Sequence, residues 1–190
     1  MAAVAIPTLF GQIFNIGKGA GQIGAVQMEF PHPRRVDHER AARQLALRQK
    51  YHRPQLSFGL NIPGPVKTTP ALRQLFDQTC LCIRDRLREL NVDILDSQTL
   101  YAPTGNEYLL AFDGDETAVK TAMTQLEEQT PLGRLFDIDI LTAAGEKLSR
   151  SEPRRCLLCE RQAQDCARSR RHSVDELTTY IGLLLAEYMP

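Results

Sequence analysis

The chain carries no net charge, no apolar run of membrane length and no even set of cysteines, and each absence narrows what it can do. Lysine plus arginine and aspartate plus glutamate both total 23 over 190 residues, so no global field draws the protein to nucleic acid. No apolar run approaches the ~20 residues of a membrane span. The first charged side chain, Lys18, comes too late for the basic leader of a secretory signal. The expected compartment is therefore the cytoplasm, with no membrane partner. Five cysteines without an export signal argue against a disulfide framework. Neither internal repeats nor low-complexity segments occur. With 43% hydrophobic residues, the remaining class is a soluble globular chain of one ordinary domain with small appendages.

Three regions are expected. Residues 1–34 form an apolar, glycine-rich extension, whose Gly17-Lys18-Gly19-Ala20-Gly21 lacks the Gly-Lys-Ser/Thr of a phosphate loop. Residues 35–150 form the core. A helix over His38–Lys50, capped by Asp37, leads to a strand in which Leu56, Phe58, Leu60 and Ile62 alternate with small or polar residues. Thr69 caps a second helix with Pro70 at its first position, running to about Leu90 on a stripe including Leu72, Leu75, Phe76, Ile83 and Leu87. Two strands joined across Ala102–Asn106 follow. A third helix, capped by Asp113 or Asp115, precedes a strand through Asp137 and Asp139 and a short strand around Lys147 and Leu148. The order βαββαβ predicts an α+β, ferredoxin-like core, an antiparallel sheet with helices on one face. Residues 151–190 are a cysteine- and arginine-rich segment and a terminal helix, which Ser173 and Glu176 open with a capping box.

Two features carry chemistry. In Leu135-Phe136-Asp137-Ile138-Asp139-Ile140-Leu141, strand alternation sets Asp137 and Asp139 on one face, roughly 7 Å apart, with Arg134 at the entrance. Such a pair can share one hard cation, and magnesium so held completes its shell with phosphate oxygens. The same alternation also describes a plain solvent-facing strand. Further on, Cys156, Cys159, Cys166 and His172 supply four soft or borderline ligands within seventeen residues, a set that suits a tetrahedral structural zinc. Reduced thiols beside a surface histidine are the alternative. Between Arg150 and Arg171, seven arginines face three carboxylates, a formal +4 that can meet phosphates or an acidic protein. Cys80 and Cys82 read as packing residues.

The runs Gly133–Ile140, Glu146–Arg150, Pro153–Cys159 and Cys166-Ala167-Arg168, with Pro63–Lys67 and the helix containing Glu39-Arg40 and Arg43-Gln44, resemble the apo-citrate lyase phosphoribosyl-dephospho-CoA transferase family. The likeness covers about residues 35 to 182. It implies an enzyme that moves the phosphoribosyl-dephospho-CoA group from triphosphoribosyl-dephospho-CoA to a serine of the citrate lyase acyl carrier (gamma) subunit, releasing diphosphate. On that implication Asp137 and Asp139 hold magnesium, Arg134 clamps a phosphate and Lys67 adds a point charge. Arg154 and Arg155, as substrate-binding residues, contact the acidic carrier protein. The serine's base stays unassigned, since His172 cannot both ligate zinc and take a proton. Two rivals remain. One is a noncatalytic assembly scaffold for the lyase. The other is a nucleic-acid module, which the missing stacking pattern in Glu107–Phe112 and the zero charge oppose.

Overall fold

The computed structural model describes residues 33–189, so all but the last two residues of the expected N-terminal extension lie outside them. In chain order the elements are α1 (Pro33–Tyr51), β1 (Gln55–Leu60), α2 (Pro70–Glu89), β2 (Asp93–Leu100), β3 (Glu107–Asp113) and α3 (Glu116–Glu128). A 3-10 turn (Pro131–Leu135), β4 (Phe136–Leu141), α4 (Ala163–Ser169) and α5 (Val174–Tyr188) complete them. The fold is α+β. One four-stranded sheet runs in the order β2-β3-β1-β4, every neighbouring pair antiparallel.

Local chemistry explains most boundaries. Thr69 Oγ1 accepts the Leu72 N–H, and Asp115 Oδ1 accepts those of Thr117 and Ala118, satisfying amides the first turn leaves open. Ser173 and Glu176 form the reciprocal cap of α5. Helix α1 begins earlier than the expected Asp37 cap. Pro33 stands at its start, where a missing N–H costs nothing, and Asp37 lies inside the first turns.

Alternation along β3 shows how the sheet is covered. Tyr108, Leu110 and Phe112 join Leu56, Phe58, Phe136, Ile138 and Ile140 in the main core, against α2 and α3. Phe58 and Phe76 stack there at 5.1 Å. Each such large side chain contributes about 1.5–3 kcal/mol on burial. Leu109 and Ala111 point the other way and pack under Leu47 and Tyr51 of α1. Arg40 and Arg43 of α1 also pair with Glu107. Helices therefore cover both faces of the sheet, correcting the one-sided expectation. Ile181 and Leu184 of α5 join the main core. Among the described residues no helix is long and apolar enough to cross a membrane.

Strand β4 is an edge strand, and its outward backbone groups are covered. The Ile138 N–H donates 2.9 Å to Glu127 Oε1, Lys120 Nζ donates 3.3 Å to the Ile138 carbonyl, and the Leu148 N–H donates 2.9 Å to that of Ile140. The expected strand near Lys147 is reduced to one bridge with Leu141. The strand also starts one residue later than the apolar run suggests. Thr130 Oγ1 caps the turn by accepting the Gly133 N–H, which puts buried Leu135 in the turn and not on the aspartate face.

Gly133 fixes that turn against α3, since a Cβ there would lie 2.5 Å from the Glu127 carbonyl oxygen. Gly133→Ala is expected to cost about 1–3 kcal/mol of stability, as overpacking does, lowering Tm by roughly 2–4 °C per kcal/mol in thermal unfolding. An unchanged Tm would show that the turn can move away from α3 freely.

Candidate active site

Antiparallel pairing with β1 places Asp137 opposite Gly59 and Asp139 opposite Ser57, on the same side of the sheet as α1. Gly59 has no side chain, and the two carboxylates border a small cavity of about 80 Å³ with Gly105 and Asn106. Asp137 is exposed and makes no hydrogen bond or ion pair among the described residues. Asp139 Oδ2 lies 2.7 Å from Lys147 Nζ, an ion pair whose lysine is largely solvated and so contributes little. Both aspartates also line a broader cleft of about 690 Å³ with Lys120, Lys147, Arg150 and Arg154. Burial, the leading influence on Lys120, pulls its ammonium below the usual lysine value.

Arg134 opens elsewhere. It lines a neighbouring cavity of about 490 Å³ with Arg154, Arg155 and Arg170, backed by Leu135, Leu157 and Leu177. The two clefts share Asn61, Arg154, Ala163 and Ala167, so they are contiguous. Arg134 is half-buried and, among the described residues, has no hydrogen-bond or ion-pair partner. Burial first, then the like charges of Arg154 and Arg150, hold its guanidinium below the ordinary value, although an arginine there stays charged. An anion would relieve that repulsion. Lys67 lines neither cleft and donates to the Ile62 carbonyl. Arg155 is exposed and pairs at 2.7 Å with Glu160.

Sequence reasoning missed Glu127, which organises the rest. Its carboxylate is 2% exposed. Besides the Ile138 amide, which lies between the two aspartates, Oε1 meets Arg154 Nη2 at 2.5 Å. Oε2 faces Arg150 Nη2 at 3.4 Å. One buried carboxylate thus holds the aspartate strand and two cleft arginines. The available signal was periodicity: Lys120, Met123 and Glu127 share the apolar stripe of α3, where a charged residue needs a partner.

Cys156, Cys159, Cys166 and His172 come together. The turn from Cys156 to Arg161 is closed by the Cys156 N–H donating 2.7 Å to the Arg161 carbonyl, with the Ala163 N–H donating 2.8 Å to that of Arg154. Cys166 comes from α4, and His172 immediately precedes the α5 cap. All four ligand atoms lie within 4.8 Å of one another, a group that could hold a metal ion. Cys159 Sγ is 3.5 Å from Cys166 Sγ and 3.3 Å from His172 Nε2. The His172 contact is the leading cause that pushes the Cys159 thiol down to about 6, while desolvation pushes Cys166 up to about 11. Cys80, by contrast, is pushed up to about 12 by burial, an inert packing thiol. Cys156, Cys166 and His172 also line the arginine cavity.

Paired carboxylates on a sheet face, beside an arginine-lined cavity, can hold a cation and a phosphate next to each other. The chain belongs to the apo-citrate lyase phosphoribosyl-dephospho-CoA transferase family, whose sequence profile matches residues 36–188. A relative of that name from Shigella flexneri serotype 5b is 37% identical over 151 residues, 77% of this chain and 82% of the relative. Relatives with the same name from Escherichia coli O1:K1 and Shigella boydii serotype 18 are each 36% identical over the same shares.

Glu127→Gln keeps the volume but removes the charge facing Arg150 and Arg154. Its expected cost is about 3–5 kcal/mol, as when one member of a buried ion pair is lost, read from urea unfolding. A loss under about 1 kcal/mol would mean that the arginines find solvent instead.

Proposed function

We propose that this protein transfers the phosphoribosyl-dephospho-CoA group of triphosphoribosyl-dephospho-CoA to a serine of the citrate lyase acyl carrier subunit. The observation carrying the reading is the meeting of the aspartate cleft and the arginine cavity at Asn61 and Arg154, in a chain of this family. In the reaction, the serine oxygen forms a bond to the ribose-linked phosphorus while the bond from that phosphorus to the diphosphate breaks. The serine proton leaves to solvent or a base, and diphosphate departs. Orientation and charge neutralisation supply most of the catalysis.

Asp137 and Asp139 fit magnesium, being hard oxygen donors with Asp137 unpartnered among the described residues and no side chain opposite it at Gly59. Bound there, magnesium would neutralise charge on the departing diphosphate. Lys147 releases Asp139 at small cost, because its ammonium is solvated. Arg134 and Arg154 hold phosphate oxygens through planar forks. Lys67 would act as a substrate-binding point charge only after leaving the Ile62 carbonyl. Arg155 can exchange its exposed Glu160 partner for a carboxylate of the carrier. The cysteine-histidine group fits zinc. Zn–S bonds of about 2.3 Å in a tetrahedron separate sulfurs by about 3.8 Å, close to the Cys159–Cys166 spacing of 3.5 Å. We read the fold as ferredoxin-like on its strand order, and place the protein in the cytoplasm, where five free thiols persist.

The solvated Asp139–Lys147 pair is also what a solvent-facing strand on a noncatalytic scaffold would show. Mass spectrometry of the apo carrier, incubated with protein, magnesium and donor, decides between the two. Addition of the phosphoribosyl-dephospho-CoA mass to serine is expected, with loss of at least about 100-fold in rate for Asp137→Asn as the carrier still binds. No addition by folded wild-type protein would leave the scaffold.

Elemental analysis should find one zinc per chain, lost in Cys166→Ser, with a lower Tm after chelation. Zinc-free, fully stable protein would make the group a cluster of reduced thiols.

A further inference from the structure

We propose that the Arg134 cavity holds the dephospho-CoA end of the donor, while the triphosphate end occupies the aspartate cleft. This rests on the transfer reaction above and divides its substrate between two subsites. The donor bears two separate anionic groups, a triphosphate and the internal diphosphate of dephospho-CoA, and only the second adjoins a large aliphatic arm. The two clefts differ in their charged lining.

The cavity around Arg134 has no aspartate or glutamate among its lining residues, so it can take a phosphate anhydride without a metal. Its walls include Pro63, Leu135, Leu157, Val174 and Leu177, apolar surface suited to a base or a pantetheine chain. At about 490 Å³ it falls within the range of about 300–1,000 Å³ typical of small-molecule sites. The aspartate cleft differs in charge. Glu127, Asp137, Asp139 and Glu152 line it against Lys120, Lys147, Arg150 and Arg154, a formal balance in which the exposed Asp137 and Asp139 favour a polyphosphate that arrives with a divalent cation. Its lining also includes Ile138, Leu148 and Pro153 as apolar wall, so the two spaces differ in their carboxylates and not in apolar surface. Arg154 and Asn61 border both spaces, where the ribose joining the two halves would pass.

Each half exists as a separate probe. Calorimetric titration of the full chain with dephospho-CoA in the absence of magnesium, and with inorganic tripolyphosphate in its presence, reads the two subsites independently of turnover. Arg134→Gln should weaken dephospho-CoA by about tenfold or more, the loss of a charged hydrogen bond, and leave magnesium tripolyphosphate unchanged. Asp137→Asn should do the reverse. Arg170→Asn, at an exposed residue whose left-handed backbone (φ 46°) asparagine tolerates, repeats the first test if Arg134→Gln fails to fold. Equal weakening of both probes by Arg134→Gln, or of tripolyphosphate alone, would overturn the division. So would absence of dephospho-CoA binding to a wild-type protein that performs the transfer, although the transfer itself would then stand. The expected probe pattern without transfer to the carrier would keep the cavity assignment and remove the reaction.

Discussion

A buried carboxylate cannot be left alone, and the way this protein satisfies Glu127 determines much of its site. An isolated ionised carboxylate in an apolar interior is strongly unfavourable. Glu127 Oε1 accepts from the Ile138 amide and from Arg154, and its Oε2, with no hydrogen bond, faces Arg150, so the partners come from two stretches of chain. The amide belongs to Ile138, so the carboxylate fixes the strand at the point between Asp137 and Asp139. The guanidinium groups belong to Arg150 and Arg154, so it also fixes where the arginine-rich segment leaves the core. Gly133 packs on the main chain of the same residue. Buried ion pairs are weak evidence for stability, because desolvation offsets much of their attraction. What this one supplies is position: aspartates and arginines on separate elements are held by one group.

The sequence made the regular elements legible where one residue type has one mechanical use. Thr69 before Pro70, Asp115 before α3 and Ser173 with Glu176 are caps in the structure because their oxygens reach open amides. Alternation placed Asp137 and Asp139 on one face, as the register with Gly59 and Ser57 shows. Helix α1 was harder to place. It presents isolated apolar residues such as Leu47 and no broad stripe, so nothing in its pattern said that it would cover the second face of the sheet.

The site was less legible than the fold for two physical reasons. Arg134 sits next to the strand in sequence, but the capped turn at Thr130–Leu135 gives it a different direction from the aspartates, into the second cavity. Pro131 after Thr130 was the local cue to a turn. Glu127 lies at the end of a helix in a Glu-Glu pair, a context that normally means solvent. Only its place on the apolar stripe, seven residues after Lys120, separates it from Glu128, which is exposed. The cysteine spacing, by contrast, was informative without any fold. Two cysteines in one tight turn must approach each other, and the short helix α4 delivers the third.

Zero net charge and a polyanionic donor are compatible because the charge is unevenly spread. Arg154 of the cavity and Arg150 of the neighbouring cleft are close enough to disfavour the charged form of Arg134. Such mutual repulsion would spread flexible side chains apart in water, where each could turn outward. Here Glu127 holds Arg154, and the Cys156–Arg161 turn holds the backbone of Arg155 through the bridge with Gln162. The cysteine-histidine group borders the same cavity, so a metal there would stiffen the wall that carries the charge. An anion arriving there would relieve that repulsion, and the arginines already held would need little reorganisation to meet it. The buried Glu127 network and the cysteine-histidine group thus both border the arginine cavity or its approach, which lies beside the strand face that carries Asp137 and Asp139.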